Sequence, residues 1–243
     1  VLEILELLSA HQEGLTVPEI VKLLNHPPKS SVYSILQHLL RKRYVTYFEK
    51  EKKYKIGPAL IRLSSVVISS HTIKNKARPY MEQLSKRTGE DIYLGIMDGD
   101  RVCYIDKVEG TQSIQLNISV GTSRYLHVSS IGKLIMAHQS PDKLEKMMQQ
   151  TGLPAHSGST IVKKEKLVEE LETIRKNKFA VSNEESIDGV IGLAAPIYDN
   201  HGEFVGGISL TAPVQRVEPR KKELISQVKE TARHISELMG FRE

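Results

Sequence analysis

The sequence predicts an α+β fold in two domains, on three observations. Apolar residues recur at helical spacing in three short segments up to Arg41. Two alternating, aromatic-rich runs then flank a lysine-rich turn. Beyond Gly89 the period changes from that of a helix to that of strands, and helical spacing returns towards the C-terminus. A chain of 243 residues has core enough for two ordinary domains or one large one.

The first helix is read in "VLEILELLS", where Leu2, Ile4, Leu5, Leu7 and Leu8 form an apolar stripe. The chain starts at Val1, without methionine and inside that helix, so a few native residues are expected to precede it. In "EGLTVPEIVKLLN", Gly14 turns the chain, Thr16 caps, Pro18 occupies the first turn and Glu19 lies three residues after the cap. Ile20, Val21, Leu23 and Leu24 are its buried face. "NHPPKSS" interrupts, and Lys29 or Ser30 opens a third helix on which Val32, Ile35, Leu36, Leu39 and Leu40 share one face. Ser30, Ser34, Gln37 and Arg41 cluster on the opposite side, with Tyr33 and His38 at its margins. "YVTYF" and "KYKIG" alternate around "EKEKK" and predict a two-stranded hairpin. Three helices and a basic hairpin make a winged helix-turn-helix over residues 1–60.

"GPALIRLSSVVISSHTIKNKARPYMEQLSKRTGE" reads as helix throughout, with Pro58 at its start and Ser64, Ser65, Ser69 and Ser70 loosening the middle. Residues 61–71 are expected to be a linker helix. Its apolar Leu60, Ile61, Leu63, Val66, Val67 and Ile68 pack under the first domain, pass movement between domains, or do both. Residues 72–243 are the larger domain. Its strands are read in "DIYLGIM", "RVCYIDKVEG" and "SIQLNIS", with "DGD" turning the first pair. Helices follow around Ile131 to His138, Pro141 to Gln150 and Lys164 to Asn177. "GLAAPIYD" and "FVGGISLTAP" form a second hairpin about Asn200 and Gly202, and a long helix runs from about Pro219 to Met239. One sheet with segregated helices describes a sensor domain of α+β type.

Composition is that of a soluble globular chain, 40% hydrophobic and 26% charged, with no run long enough to span a membrane. The single Cys103 rules out an intrachain disulfide framework and fits a reducing compartment; with no signal peptide in view, the expected location is the cytoplasm. The formal charge of +5 is modest, but its distribution is not even. Between Asn25 and Gly57 eight cations face two acids, so that segment is net +6 and the remainder is nearly balanced. A localised basic patch is the footprint of a phosphate-binding surface. The expected DNA contacts are Lys29, Ser30, Ser31, Tyr33, Ser34, Gln37 and Arg41 on the third helix. Lys42 and Arg43 beyond it, and Lys50, Lys52 and Lys53 in the wing, complete the set.

Nothing assembles into a catalytic set. Cys103 occupies an alternating strand position, where a buried inert thiol is expected. The nine histidines show no metal-ligand spacing, so neither a metal nor a cofactor is expected. "SIGKL" lacks the full phosphate-loop pattern. Glu184 and Glu185 lie in polar sequence and are expected to be solvated. Ser129, Ser130 and Ile131, before Gly132, open a helix whose free N–H groups either receive an anion or are plainly capped.

The order "LTVPEIVKLLNHPPKSSVYSILQHLLRKRYVTYFEKEKKYKIGPALIRL" resembles the N-terminal domain of IclR-type bacterial transcription regulators. Its shared positions are Leu15, Thr16, Glu19, Ile20, Pro28, Lys29, Ser30, Ser31, Leu36, Leu39 or Leu40, Tyr44, Val45, Tyr54, Ile56 and Gly57. "ARPYMEQLSKRTGE", "YIDKVEG", "LHVSSIGKLIMA", "NEE" and "AAPIYDNHGEFVGGISLTAP" extend the resemblance over essentially the whole chain. It implies a GAF/profilin-like effector-binding domain and a homodimer or dimer of dimers. It also implies a small organic-acid or sugar-acid ligand at Ser129, Ser130, Ile131, Ser182, Gly192 and Ser209. The chain departs from the family where it has Ser34 in place of a common Arg and Arg43 in place of a common Gly. Ser130 and Ile131 stand where Gly-Ala is frequent, Ser182 where a carboxylate is, and Gly192 where Cys is.

The resulting expectation is a ligand-responsive regulator, a repressor, on a pseudo-palindromic double-stranded operator, with no membrane association. The alternatives are a GAF-like enzyme converting its metabolite, with the winged helix for assembly only, and a winged helix serving as a protein-interaction module.

Overall fold

The computed structural model describes residues 1–61, 63, 72–113 and 118–242. The chain divides into two compact units, Val1–Ser70 and His71–Glu243. Most of the expected linker helix, and the middle of the strand expected in "SIQLNIS", lie outside the described residues.

In the first unit α1 (Leu2–Ala10), α2 (Val17–Leu23) and α3 (Lys29–Arg41) precede a hairpin of β1 (Val45–Phe48) and β2 (Lys53–Ile56). The capping box forms as its spacing requires. Thr16 N–H donates to Glu19 Oε2 at 2.7 Å, and Glu19 N–H to Thr16 Oγ1 at 3.5 Å. Ile4, Leu8, Ile20, Val32, Leu36, Leu39 and Val45 close one core, so α3 is held by the face its periodicity defined. Leu15 adds a bridge to the outer strand through reciprocal backbone bonds with Tyr54 of 3.0 and 2.8 Å.

Two cations of this unit have left-handed backbones: Arg43, between α3 and β1, at φ 61°, and Lys52, in the wing turn, at φ 54°. Glycine takes that conformation without the Cβ penalty. Arg43 therefore stands where the turn itself favours the residue the family commonly has.

The second unit runs α4 (Thr72–Thr88), β3 (Asp91–Asp98), β4 (Arg101–Val108) and β5 (Ser123–Tyr125). Next come a 3-10 turn (Leu126–Val128), α5 (Ser130–Ala137), α6 (Pro141–Thr151), α7 (Lys164–Asn177) and β6 (Ala180–Asn183). β7 (Val190–Tyr198), β8 (Phe204–Pro213), a short α8 (Val214–Val217), a second 3-10 turn (Glu218–Arg220) and α9 (Lys221–Leu238) finish it. Six strands in the order β5-β4-β3-β8-β7-β6 make one antiparallel sheet. The partner of β4 at its outer edge is Ser123–Tyr125, a strand too short to show an alternating pattern.

Alternation along β7 and β8 sorts side chains to two faces. Ile191, Leu193, Ala195 and Ile197, with Ile208 and Leu210, pack under α4 and α9. The reverse face receives α5, with α6 and α7 outside it, through Ile131, Leu134, Ile135, Met147, Leu167 and Leu171. Helices thus cover both faces. Burying each large aliphatic of α5 contributes roughly 1.5–3 kcal/mol, which fixes that helix firmly.

Small residues let α5 lie close to the sheet. A Cβ at Gly95 or at Gly207 would stand 3.1 Å from Ile131 atoms. Gly132 is tighter still: a Cβ there would come 2.2 Å from the Leu126 carbonyl oxygen. All eight residues of α5 are buried, including a lysine, Lys133.

Candidate functional site

On the first unit, Lys29, Ser30, Ser31, Tyr33, Ser34, Arg41, Lys42, Arg43, Lys50 and Lys52 are exposed, and Gln37 and Lys53 are half-buried. Lys29, Ser30, Tyr33 and Lys52 line one cleft of about 620 Å³ with Tyr47 and Tyr54, where the start of α3 meets the wing. Arg41, Lys42 and Arg43 lie at the other end of α3. Gln37 is partly engaged, its Nε2 donating to the Tyr54 hydroxyl at 3.4 Å. The α3 face therefore offers hydroxyls, an amide and cations outward, and few of them are committed to the protein.

In the second unit a small cavity of about 40 Å³ lies where α5 begins. Ser129 and Ser130 form its floor. Ser182 and Gly192, from β6 and β7, face them, and Ser186 and Ile187 of the β6–β7 loop close it. Ser129 is a true N-cap, since Gly132 N–H donates to its Oγ at 3.3 Å. Ser182 Oγ donates to Val128 O at 2.7 Å, which leaves its lone pairs free to accept. Ser209 stands behind, its hydroxyl 3.3 Å from that of Ser130 and 3.1 Å from that of Thr211. Ile131 turns the other way and packs on the sheet glycines. Four of the six expected ligand residues thus line the cavity, one backs it and one does not reach it.

The cation of the cavity is one that sequence reasoning missed. Arg124, on β5, donates from Nη1 to Ser186 Oγ, while its Nε is buried and has no partner among the described residues. Among the described residues no carboxylate lines the cavity; Tyr104, Ser129, Ser130, Ser182, Ser186 and Thr211 bring hydroxyls to it. The Tyr104 phenol, 3.2 Å from Ser129 Oγ, is held neutral by burial, which raises its pKa. A guanidinium among hydroxyls, with an unpaired donor and no carboxylate among the described lining residues, is set to receive an anion.

Glu185 corrects the expectation of a solvated carboxylate. It is buried, and Lys133 Nζ donates to its Oε1 at 2.6 Å, to Glu170 Oε1 at 2.7 Å and to Val181 O at 3.0 Å. Burial raises the Glu185 pKa, and the Lys133 charge opposes the rise. Glu184 is half-buried and caps its own loop, accepting from Gly189 N–H at 2.8 Å. A lone lysine inside the apolar run "SSIGKLIMA" was the available signal, since such a lysine must find acids. Cys103 is half-buried with its thiol pKa raised by burial, the wrong direction for a nucleophile.

Comparison with known proteins shows the family. The model of the IclR helix-turn-helix domain matches residues 1–47, and that of the bacterial transcriptional regulator IclR C-terminal region matches residues 65–237. The chain belongs to the IclR family of bacterial transcriptional regulators.

Among its relatives is the HTH-type transcriptional regulator BhcR of Paracoccus denitrificans, 33% identical over 97% of this chain and 84% of BhcR. KdgR of Dickeya chrysanthemi is 28% identical over 88% of this chain and 71% of its own. The crystal structure of the Thermotoga maritima IclR superposes with a TM-score of 0.80 at 32% identity, covering 99% and 97% of the two chains. As an IclR-family member the chain is a DNA-binding transcriptional regulator with a helix-turn-helix domain and an effector domain. Within that frame the α3 face and wing are the candidate nucleic-acid surface, and the α5 cavity is the candidate effector site.

Proposed function

We propose that this IclR-family regulator is a repressor whose hold on a pseudo-palindromic operator is altered by a small organic or sugar acid bound in the α5 cavity. One observation carries the acid: the described residues lining the cavity are the Arg124 guanidinium, six hydroxyl-bearing residues and apolar ones, without a carboxylate. A carboxylate there gains charge-assisted hydrogen bonds from the guanidinium and its buried Nε, roughly twice as strong as those a neutral acceptor would make. At about 40 Å³ the cavity has room for roughly three waters, at ~10–15 Å³ of such volume each. A two- or three-carbon acid fits with little adjustment, and a sugar acid requires the β6–β7 loop to lift. On the DNA side, Ser30, Ser34, Gln37 and Arg41 read the groove. Lys29, Ser31, Tyr33, Lys42, Arg43, Lys50, Lys52 and Lys53 flank the backbone and fix the register, with about four of their cations on phosphate in each protomer of a homodimer.

The test is a thermal-shift screen of small carboxylic and sugar acids against their amides, followed by anisotropy titration of a duplex drawn from the region upstream of the chain's own gene. A ligand at about 100 times its Kd stabilises the folded state by about 2.7 kcal/mol. The expected result is a shift with an acid, none with its amide, and operator affinity altered by the same acid. Equal shifts with the amide, or no shift with any acid, would exclude the reading.

A further inference from the structure

We propose that Lys133 is a positioning residue for the effector cavity, holding the loop that roofs it at a set height above the helix that floors it. The inference rests on the α5 cavity being the effector site. Lys133 belongs to α5, whose first turn provides Ser129 and Ser130 to the cavity floor. Its side chain is fully buried, and all three ammonium protons are directed at acceptors: Glu185 Oε1, Glu170 Oε1 and Val181 O. Two of those acceptors belong to the roof side. Val181 precedes Ser182, which lines the cavity, and Glu185 precedes Ser186 and Ile187, which close it.

The same loop is held at three further points. Thr160 Oγ1 donates to Glu185 O at 2.7 Å, Ser157 Oγ donates to Glu184 O, and Arg124 Nη1 donates to Ser186 Oγ. These ties differ in kind. An anion taking Arg124 away from Ser186 releases that one, whereas the Lys133–Glu185 pair lies behind the loop, where ligand does not compete. Breaking it leaves a charge buried without its partner, so the pair resists stretching. Lys133 thereby lets the ligand exchange one loop contact while the loop stays seated.

The test compares Glu185→Ala with Glu185→Gln, because Gln retains an oxygen acceptor for Lys133 and Ala does not. Lys133→Met would strand two carboxylates and is the poorer variant. Hydrogen exchange of a peptide spanning residues 184–190 needs no ligand. It is expected to quicken about tenfold or more in the Ala variant, with the β8 peptide unchanged and the Gln variant close to wild type. The second readout is affinity for whichever of acetate, glycolate, pyruvate and gluconate shifts the wild-type melting most. It is expected to fall about tenfold in the Ala variant and to return in the Gln variant. An unchanged loop exchange in the Ala variant overturns the proposal, as does faster exchange with unaltered affinity. If no acid binds the wild type, it is the acid reading that fails, and the exchange measurement by itself decides whether Lys133 seats the loop.

Discussion

Adding one methyl at Gly132 and one at Gly192 should have different consequences, the first for stability and the second for ligand binding, although both would intrude at the start of α5. At Gly132 the new carbon would stand 2.2 Å from Leu126 O, 2.5 Å from its Cα and 2.7 Å from its carbonyl carbon. All three are backbone atoms of the 3-10 turn, which is buried and cannot rotate out of the way. Ordinary contact begins near 3.4 Å, so helix and turn must separate by roughly an ångström. Overpacking of this sort costs about 3 kcal/mol, against a gain of about 1 kcal/mol from replacing glycine inside a helix. The net expectation for Gly132→Ala is a loss of about 2 kcal/mol, or about 4–8 °C in Tm for a unit of this size. At Gly192 the nearest atom is Ser130 Oγ at 2.9 Å, the end of a side chain that can change rotamer. Gly192→Ala should therefore cost less than about 1 kcal/mol, while displacing the Ser130 hydroxyl into the cavity and weakening acid binding. The chain has no tryptophan, so melting is followed by far-ultraviolet circular dichroism, with calorimetry for the ligand. If Gly132→Ala melted within a degree of wild type, or Gly192→Ala fell equally far, the packing rationale for α5 would be refuted.

Arg124→Gln should reduce acid affinity about 10- to 100-fold, the equivalent of about 1.5–3 kcal/mol for a charge-assisted hydrogen bond, with operator binding in the absence of acid unchanged; unaltered calorimetric affinity would remove Arg124 from the site. Operator affinity measured by anisotropy should fall with a log–log salt slope near −7, as about eight phosphate contacts from two wings and two α3 helices require, and a flat response would contradict a phosphate-anchored complex. Arg43→Gly relieves a left-handed backbone at φ 61° and should raise stability by about 0.5–1 kcal/mol while weakening the operator complex. An unchanged operator affinity in that variant would show that the cation makes no contact. His138 should make the second unit sensitive to acid. Burial lowers its pKa, Nδ1–H donates to Leu134 O and Nε2 accepts from the Tyr198 hydroxyl, each at 2.8 Å. A histidine with a depressed folded pKa contributes fully above its unfolded value of about 6.5, and that contribution declines as pH falls through the folded value. Thermal melts between neutral pH and pH 5 should show this decline reduced in His138→Gln, and identical pH profiles would assign it elsewhere.

Much of this protein is legible along the chain because the relevant interactions are local. The capping box of Thr16 and Glu19 spans three residues, the apolar face of α3 repeats within two turns, and α7 begins and ends where its pattern does, at Lys164 and Asn177. The cationic concentration from Lys29 to Lys55 is likewise visible in one dimension, and it indicates a phosphate partner whatever the fold. Ser129 declares itself as a cap by its position before "SIGKL". The cavity could not be read that way. Arg124 sits in unpatterned sequence and acquires its role only when a three-residue edge strand pairs with β4 and a loop 62 residues further on supplies Ser186. Glu185 looks solvated among polar neighbours, yet lies buried on a lysine 52 positions earlier. Periods, caps and charge runs are properties of neighbours within a turn or two of chain. Which acid meets which base, and how near a helix can approach a sheet, depend on contacts between distant segments that exist only once the chain has closed on itself.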